Sequence, residues 1–82
     1  MNKVPVALVK CESYDERVVE KAVREAVDLL PEFSETVASD QRILLKINLT
    51  QIEPLEKAVT THPTVAKAVT RLLQEHGTHV LI

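Results

Sequence analysis

The chain alternates short, almost wholly apolar runs with stretches in which apolar residues recur every third or fourth position. Val4 to Lys10 is the first run. Val4, Val6 and Leu8 fall on one face of an extended strand, and Pro5, Ala7 and Val9 on the other. A strand apolar on both faces belongs inside a parallel sheet with helices on each side. Pro5 has no N–H for the ladder, so pairing is expected to begin after it. Ser13-Tyr14-Asp15-Glu16 then has the spacing of a capping box. It opens a helix over about residues 14–30 that stops before Pro31, with Val19, Ala22, Val23, Ala26 and Leu30 on the buried face. Pro31 to Asp40 is a connection that Phe33 and Val37 pin to the domain edge.

Arg42 to Ile47 is a second strand, again mostly apolar on both faces. A second helix begins at Pro63, whose missing N–H costs nothing in a first turn, with Thr61 or His62 as its cap. Val65, Ala68, Val69, Leu72 and Leu73 form its buried face, His76 lies in its last turn, and Gly77 suits the position just past its end. Thr78 to Ile82 is a third strand. The order β-α-β-loop-α-β predicts an α/β fold, a three-stranded parallel sheet with two crossover helices, in one domain over 1–82. The apolar first strand favours strand order 2-1-3 with helices on opposite faces. The alternative is 1-2-3 with both helices on one face.

With 45% hydrophobic residues but only 2% aromatic, the core must be aliphatic. A net charge of −2, without a basic run or aromatic platform, speaks against nucleic acid as a partner. The apolar run after Met1-Asn2-Lys3 is too short for a signal peptide. No run approaches the roughly 18 apolar residues of a membrane span. Cys11 is alone and has no internal disulfide partner. A cytoplasmic protein that binds neither nucleic acid nor membrane is expected.

The candidate chemistry lies between Lys46 and Pro63. Most strand-to-helix connections run about 2–6 residues, and this one is far longer. It gathers Lys46, Asn48, Lys57, Thr60, Thr61 and His62 at one end of the domain. Ligands of open α/β sheets bind beyond the C-terminal strand ends, where Lys10 also falls. The helix opening there contributes free N–H groups and positive dipole character. Lys10, Lys46, Asn48, Thr60, Thr61 and His62 are therefore the expected ligand-binding set for a phosphate- or carboxylate-bearing small molecule. Against this, the lysines can snorkel at a sheet edge and the threonines can merely cap the helix. No glycine-rich phosphate loop is present. His62 is the one acid–base candidate. Its motif offers no carboxylate partner, and capping suits it equally well, so enzymatic activity stays open. Cys11, Glu12, His62, His76 and His79 match no metal-ligand spacing, and no metal is expected. Cys11 reads as a small buried hydrophobe.

Val6-Ala7-Leu8-Val9-Lys10, Tyr14-Asp15, Ile43-Leu44-Leu45-Lys46-Ile47-Asn48-Leu49 and Lys57-Ala58-Val59-Thr60-Thr61-His62-Pro63 together resemble the N-terminal part of the domain of unknown function 362 family. The resemblance implies a fragment of a larger family domain. Many members are described as iron–sulfur proteins, through a cysteine-rich segment later in the chain. Those cysteines are absent here, so no cofactor is carried over. Ile47 stands where the family commonly has Pro. The Gly-Asp-Ser-Pro type turn that normally follows the third strand is also missing, which leaves half a site for the anion.

Val80-Leu81-Ile82 closes the third strand without charge, proline or cover, and such edges recruit partners. A homo-oligomer, most simply a symmetric dimer, is expected. The alternative function is accordingly a structural or self-associating module with no activity of its own.

Overall fold

A computed structural model of the chain describes residues 3–48 and 61–82. Its elements are α1 (Glu16–Asp28), α2 (Glu32–Thr36), β1 (Arg42–Leu44), α3 (Pro63–Glu75) and β2 (His79–Leu81). Lys57, Thr60 and the rest of the long connection lie outside the described residues.

The mixed α/β character stands, but the three-stranded parallel sheet of order 2-1-3 does not. The described residues form one sheet of two parallel strands, in which β1 pairs directly with β2. Arg42 lies opposite His79, Ile43 opposite Val80, and Leu44 opposite Leu81. Bonds from His79 N–H to the Gln41 carbonyl (2.8 Å) and from Leu45 N–H to the Leu81 carbonyl (2.7 Å) extend the ladder at either end. With these strands in direct register, no slot remains between them for Val4–Lys10. That segment has no strand structure, and Val4, Val6 and Leu8 are 82%, 87% and 93% exposed. Only Ala7 and Val9 are half-buried.

Each helix end has a local cause. Asp15, not Ser13, caps α1: its carboxylate accepts from the N–H groups of Arg17 (3.0 Å) and Val18 (3.4 Å). Ser13 Oγ instead accepts from the Asp15 N–H at 3.0 Å. Helix α3 starts at Pro63 and is capped by His62. It stops where Gly77 turns left-handed at φ 80°. An ideal Cβ at Gly77 would lie 3.0 Å from the Ser39 Cβ, so both the backbone and the space there favour glycine. The Gly77 carbonyl accepts from the Asp40 N–H (2.9 Å), tying the end of α3 to the start of β1. The buried Thr78 hydroxyl donates to the Leu73 carbonyl at 2.8 Å, satisfying an end carbonyl of the helix. Pro31 to Asp40, expected as a plain connection, contains the short helix α2.

Helices α1 and α3 lie side by side and run in the same direction. Glu16 meets Lys67 (2.8 Å) and Arg71 (3.5 Å), Glu20 meets Arg71 (2.9 Å), and Arg24 meets Glu75 (2.6 Å). Beneath this ladder Val19, Ala68, Leu72 and Leu73 are buried, and Ile43 and Val80 reach up half-buried from the sheet.

The ladder makes stability depend on pH with a definite sign. The hydrogen bond from Lys67 holds the Glu16 carboxyl below its ordinary value of 4.5, and that from Arg24 does the same for Glu75. A carboxyl depressed in the folded state contributes fully above its ordinary value. It loses that contribution as pH falls through the lowered one. The urea midpoint should therefore hold between neutrality and about pH 5 and fall on further acidification, and less steeply in Glu16→Gln/Glu75→Gln. Equal acid slopes in the two proteins would show that the ladder contributes nothing. The effect is modest because every partner is partly exposed.

Candidate functional site

The C-terminal ends of both strands open onto the start of α3. Here the backbone of Asn48 and Thr61 form a clasp. The Thr61 N–H donates to the Asn48 carbonyl (3.0 Å), and the Asn48 N–H donates to Thr61 Oγ1 (3.3 Å). Because Thr61 Oγ1 accepts in this clasp, its own hydroxyl hydrogen stays available as a donor.

His62 follows immediately. Its Nδ1 accepts from the Thr64 N–H (3.2 Å) and lies 3.0 Å from the Thr64 hydroxyl. An Nδ1 that accepts a backbone N–H carries no proton, which assigns the Nε2–H tautomer to the neutral ring. The ring stacks on Tyr14, with centroids 3.9 Å apart and planes at 4°. Tyr14 carries no role in the sequence reading, since nothing local in a sequence relates residue 14 to residue 62.

Of the expected set, Asn48, Thr61 and His62 are adjacent in space. Lys46 is exposed, whereas its neighbours Leu45 and Ile47 are half-buried, so its side chain leaves the chain on the side away from α3. Lys10 is paired with Glu12 at 2.9 Å and lies beside Val18 and Ala22 of α1. Thr60 is outside the described residues. Cys11, expected to be buried, is exposed, and its thiol donates to the Ser13 carbonyl at 3.2 Å. Among the described residues no three His, Cys, Asp or Glu side chains converge as metal ligands. None of the helices there is long and apolar enough to cross a membrane.

Thr61 also lines a groove of about 570 Å³ that runs from the strand ends along α3. Ile47, Pro63, Ala66 and Ile82 give it apolar walls, and Lys67, Thr70, Arg71 and Gln74 give it a polar side. Ligand sites commonly measure about 300–1,000 Å³, so the groove has room for a small molecule. The Thr70 hydroxyl, in its lining, is buried and has no hydrogen-bond partner among the described residues. The sequence did contain a signal for this wall. Pro63, Ala66, Lys67, Thr70, Arg71 and Gln74 recur at three- and four-residue spacing, as a second stripe beside the buried face of α3.

The model of a family described as a domain of unknown function, DUF362, matches residues 43–82. That span contains β1 from Ile43 onward, the clasp, the groove and β2. Residues 1–42, with Val6–Lys10 and Tyr14-Asp15, lie outside the match. No curated protein and no solved structure matches the chain.

Proposed function

We propose that the chain, whose residues 43–82 match the DUF362 family model, binds a small amphipathic anion. Its carboxylate or phosphate head sits at Thr61 and Arg71, and its apolar body lies along Ile47, Ala66 and Ile82. The observation that carries this reading is the position of the groove, at the C-terminal ends of both parallel strands and the start of a helix. That is where open α/β sheets take ligands. Thr61 supplies a hydroxyl donor, and the first turn of α3 a favourable dipole. Arg71 already holds Glu20 and Glu16. A planar guanidinium has five donors, so it can keep those bonds and still meet an anion.

The test is titration calorimetry with octanoate, octyl phosphate and 1-octanol. The two anions should bind at least about tenfold more tightly than the alcohol, as one charge-assisted hydrogen bond adds about 1.5–3 kcal/mol. Thr61→Val and Arg71→Gln should each remove most of that advantage. Glu75→Gln, which breaks the ladder at Arg24 without touching a groove residue, should leave it intact. Equal affinity for octanol and octanoate, or no loss in either groove variant, rules the reading out.

A further inference from the structure

Among the described residues, the side of the sheet turned away from α3 is uncovered, and its charged side chains, Arg42 and Lys46, are both basic. In β1 and β2 the residues alternate strictly: Ile43 and Val80 are half-buried, whereas Arg42, Leu44, His79 and Leu81 are exposed. Leu44 and Leu81 stand directly opposite each other, at 74% and 52% exposure, and Arg42 stands opposite His79. Lys46 and Asn48 continue the exposed row, with Leu45 and Ile47 half-buried between them. No outward position in these rows is a carboxylate, although the chain has more Asp and Glu (12) than Lys and Arg (10). The acidic residues are concentrated on the helices instead.

Parallel strands occur almost only with both faces covered, and here α3 covers one. The charge pattern selects among possible covers. A second copy would bring the Arg42 and Lys46 of both copies into one small interface with no carboxylate on either face, and uncompensated like charge across an interface is strongly disfavoured. A membrane surface needs clusters of about 4–8 basic residues, more than this face holds, and no outward position is aromatic. An acidic helix fits both the apolar rows and the charge. The chain itself uses that complementarity where Glu16 and Glu20 of α1 meet Lys67 and Arg71 of α3. We propose that the outward face of β1 and β2 docks an amphipathic α-helix with an apolar stripe at i, i+3, i+4 and i+7, flanked by Asp or Glu. The site is separate from the groove, which lies on the α3 side.

The experiment uses a labelled synthetic helix of about 18 residues, five turns, with a leucine stripe and glutamate flanks. It is compared with the same peptide carrying lysine for every glutamate, and with vesicles containing phosphatidylserine. By fluorescence anisotropy the glutamate peptide should bind at least about tenfold more tightly than the lysine peptide. Leu44→Glu should abolish that binding with unchanged helix content, since Leu44 points away from the core. Lack of binding, equal binding of both peptides, stronger binding to the vesicles, or a dimer by sedimentation that Leu44→Glu dissociates would each overturn the proposal.

Discussion

Leu72→Ala should cost about 2–5 kcal/mol of stability, the range for truncating a buried leucine. Leu72 is 6% exposed and sits with Leu73, Ala68 and Val19 where α3 meets α1. For a chain of this size the whole folding free energy is on the order of 4–12 kcal/mol, so the variant stands at the edge of unfolding. The size of the effect follows from how little is deeply buried. Val23, Ala26, Val65 and Val69, on the inward faces of the two helices, are only half-buried. Leu72→Met, which keeps the volume, should cost less than about 1.5 kcal/mol. Leu44→Ala, at a position 74% exposed, should lie within about 0.5 kcal/mol of the parent. Urea unfolding of the three variants checks the order. A loss below about 1 kcal/mol in Leu72→Ala would place the core elsewhere.

The same buried stripe explains which parts of the fold were legible in the sequence. Helix α3 was expected over residues 63–76 and spans Pro63–Glu75. Its limits are fixed by residues with local mechanisms: proline in the first turn, histidine as cap, glycine at positive φ. Its inward positions are set by periodicity alone. The start of α1 was misplaced because both Ser13 and Asp15 are good caps. The deciding factor was tertiary, since Glu16, which a capping box would turn back on Ser13, reaches Lys67 on α3. Val4 to Val9 misled for a related reason. A short apolar run reads alike whether it is paired in a sheet or lying on a surface, and pairing depends on a distant strand. Here β2 takes the edge of β1 that the order 2-1-3 assigned to that run. Helix α2 is five residues long, too short to show a period.

The site divides in the same way. Asn48, Thr61 and His62 could be found because the residue types, the proline and the long connection all point to one strand end. The groove could not, because it exists only where Ile47 and Ile82, from two strands, meet the second stripe of α3. Lys46 and Ile47 are neighbours in sequence and lie on opposite sides of the chain. Sequence proximity to the motif therefore favoured the lysine, while the groove takes the isoleucine.

His62→Ala should cost about 2 kcal/mol, the sum of a lost cap at about 1 kcal/mol and a lost ring stack at about 0.5–1.5 kcal/mol. The cap is the Nδ1 acceptor for the Thr64 N–H, and the stack is the contact with Tyr14. Two further variants separate these contributions. His62→Asn retains a side-chain oxygen suited to capping and removes the ring, so it should lose only the stacking part. Tyr14→Ala should lose the same part, and the double variant Tyr14→Ala/His62→Ala should reveal a coupling of about 0.5–1.5 kcal/mol. The ring also ties residue 14, at the head of α1, to the head of α3. Losing it should therefore loosen the entry to α1 while leaving the ion-pair ladder further along in place. His62 does not line the groove, although Thr61 and Pro63 on either side of it do. Octanoate affinity in His62→Asn should accordingly stay within about twofold of the parent, a difference well under 1 kcal/mol. A large loss of affinity with stability preserved would instead put the imidazole in contact with the ligand, and would restore the acid–base role that its place in the motif first suggested.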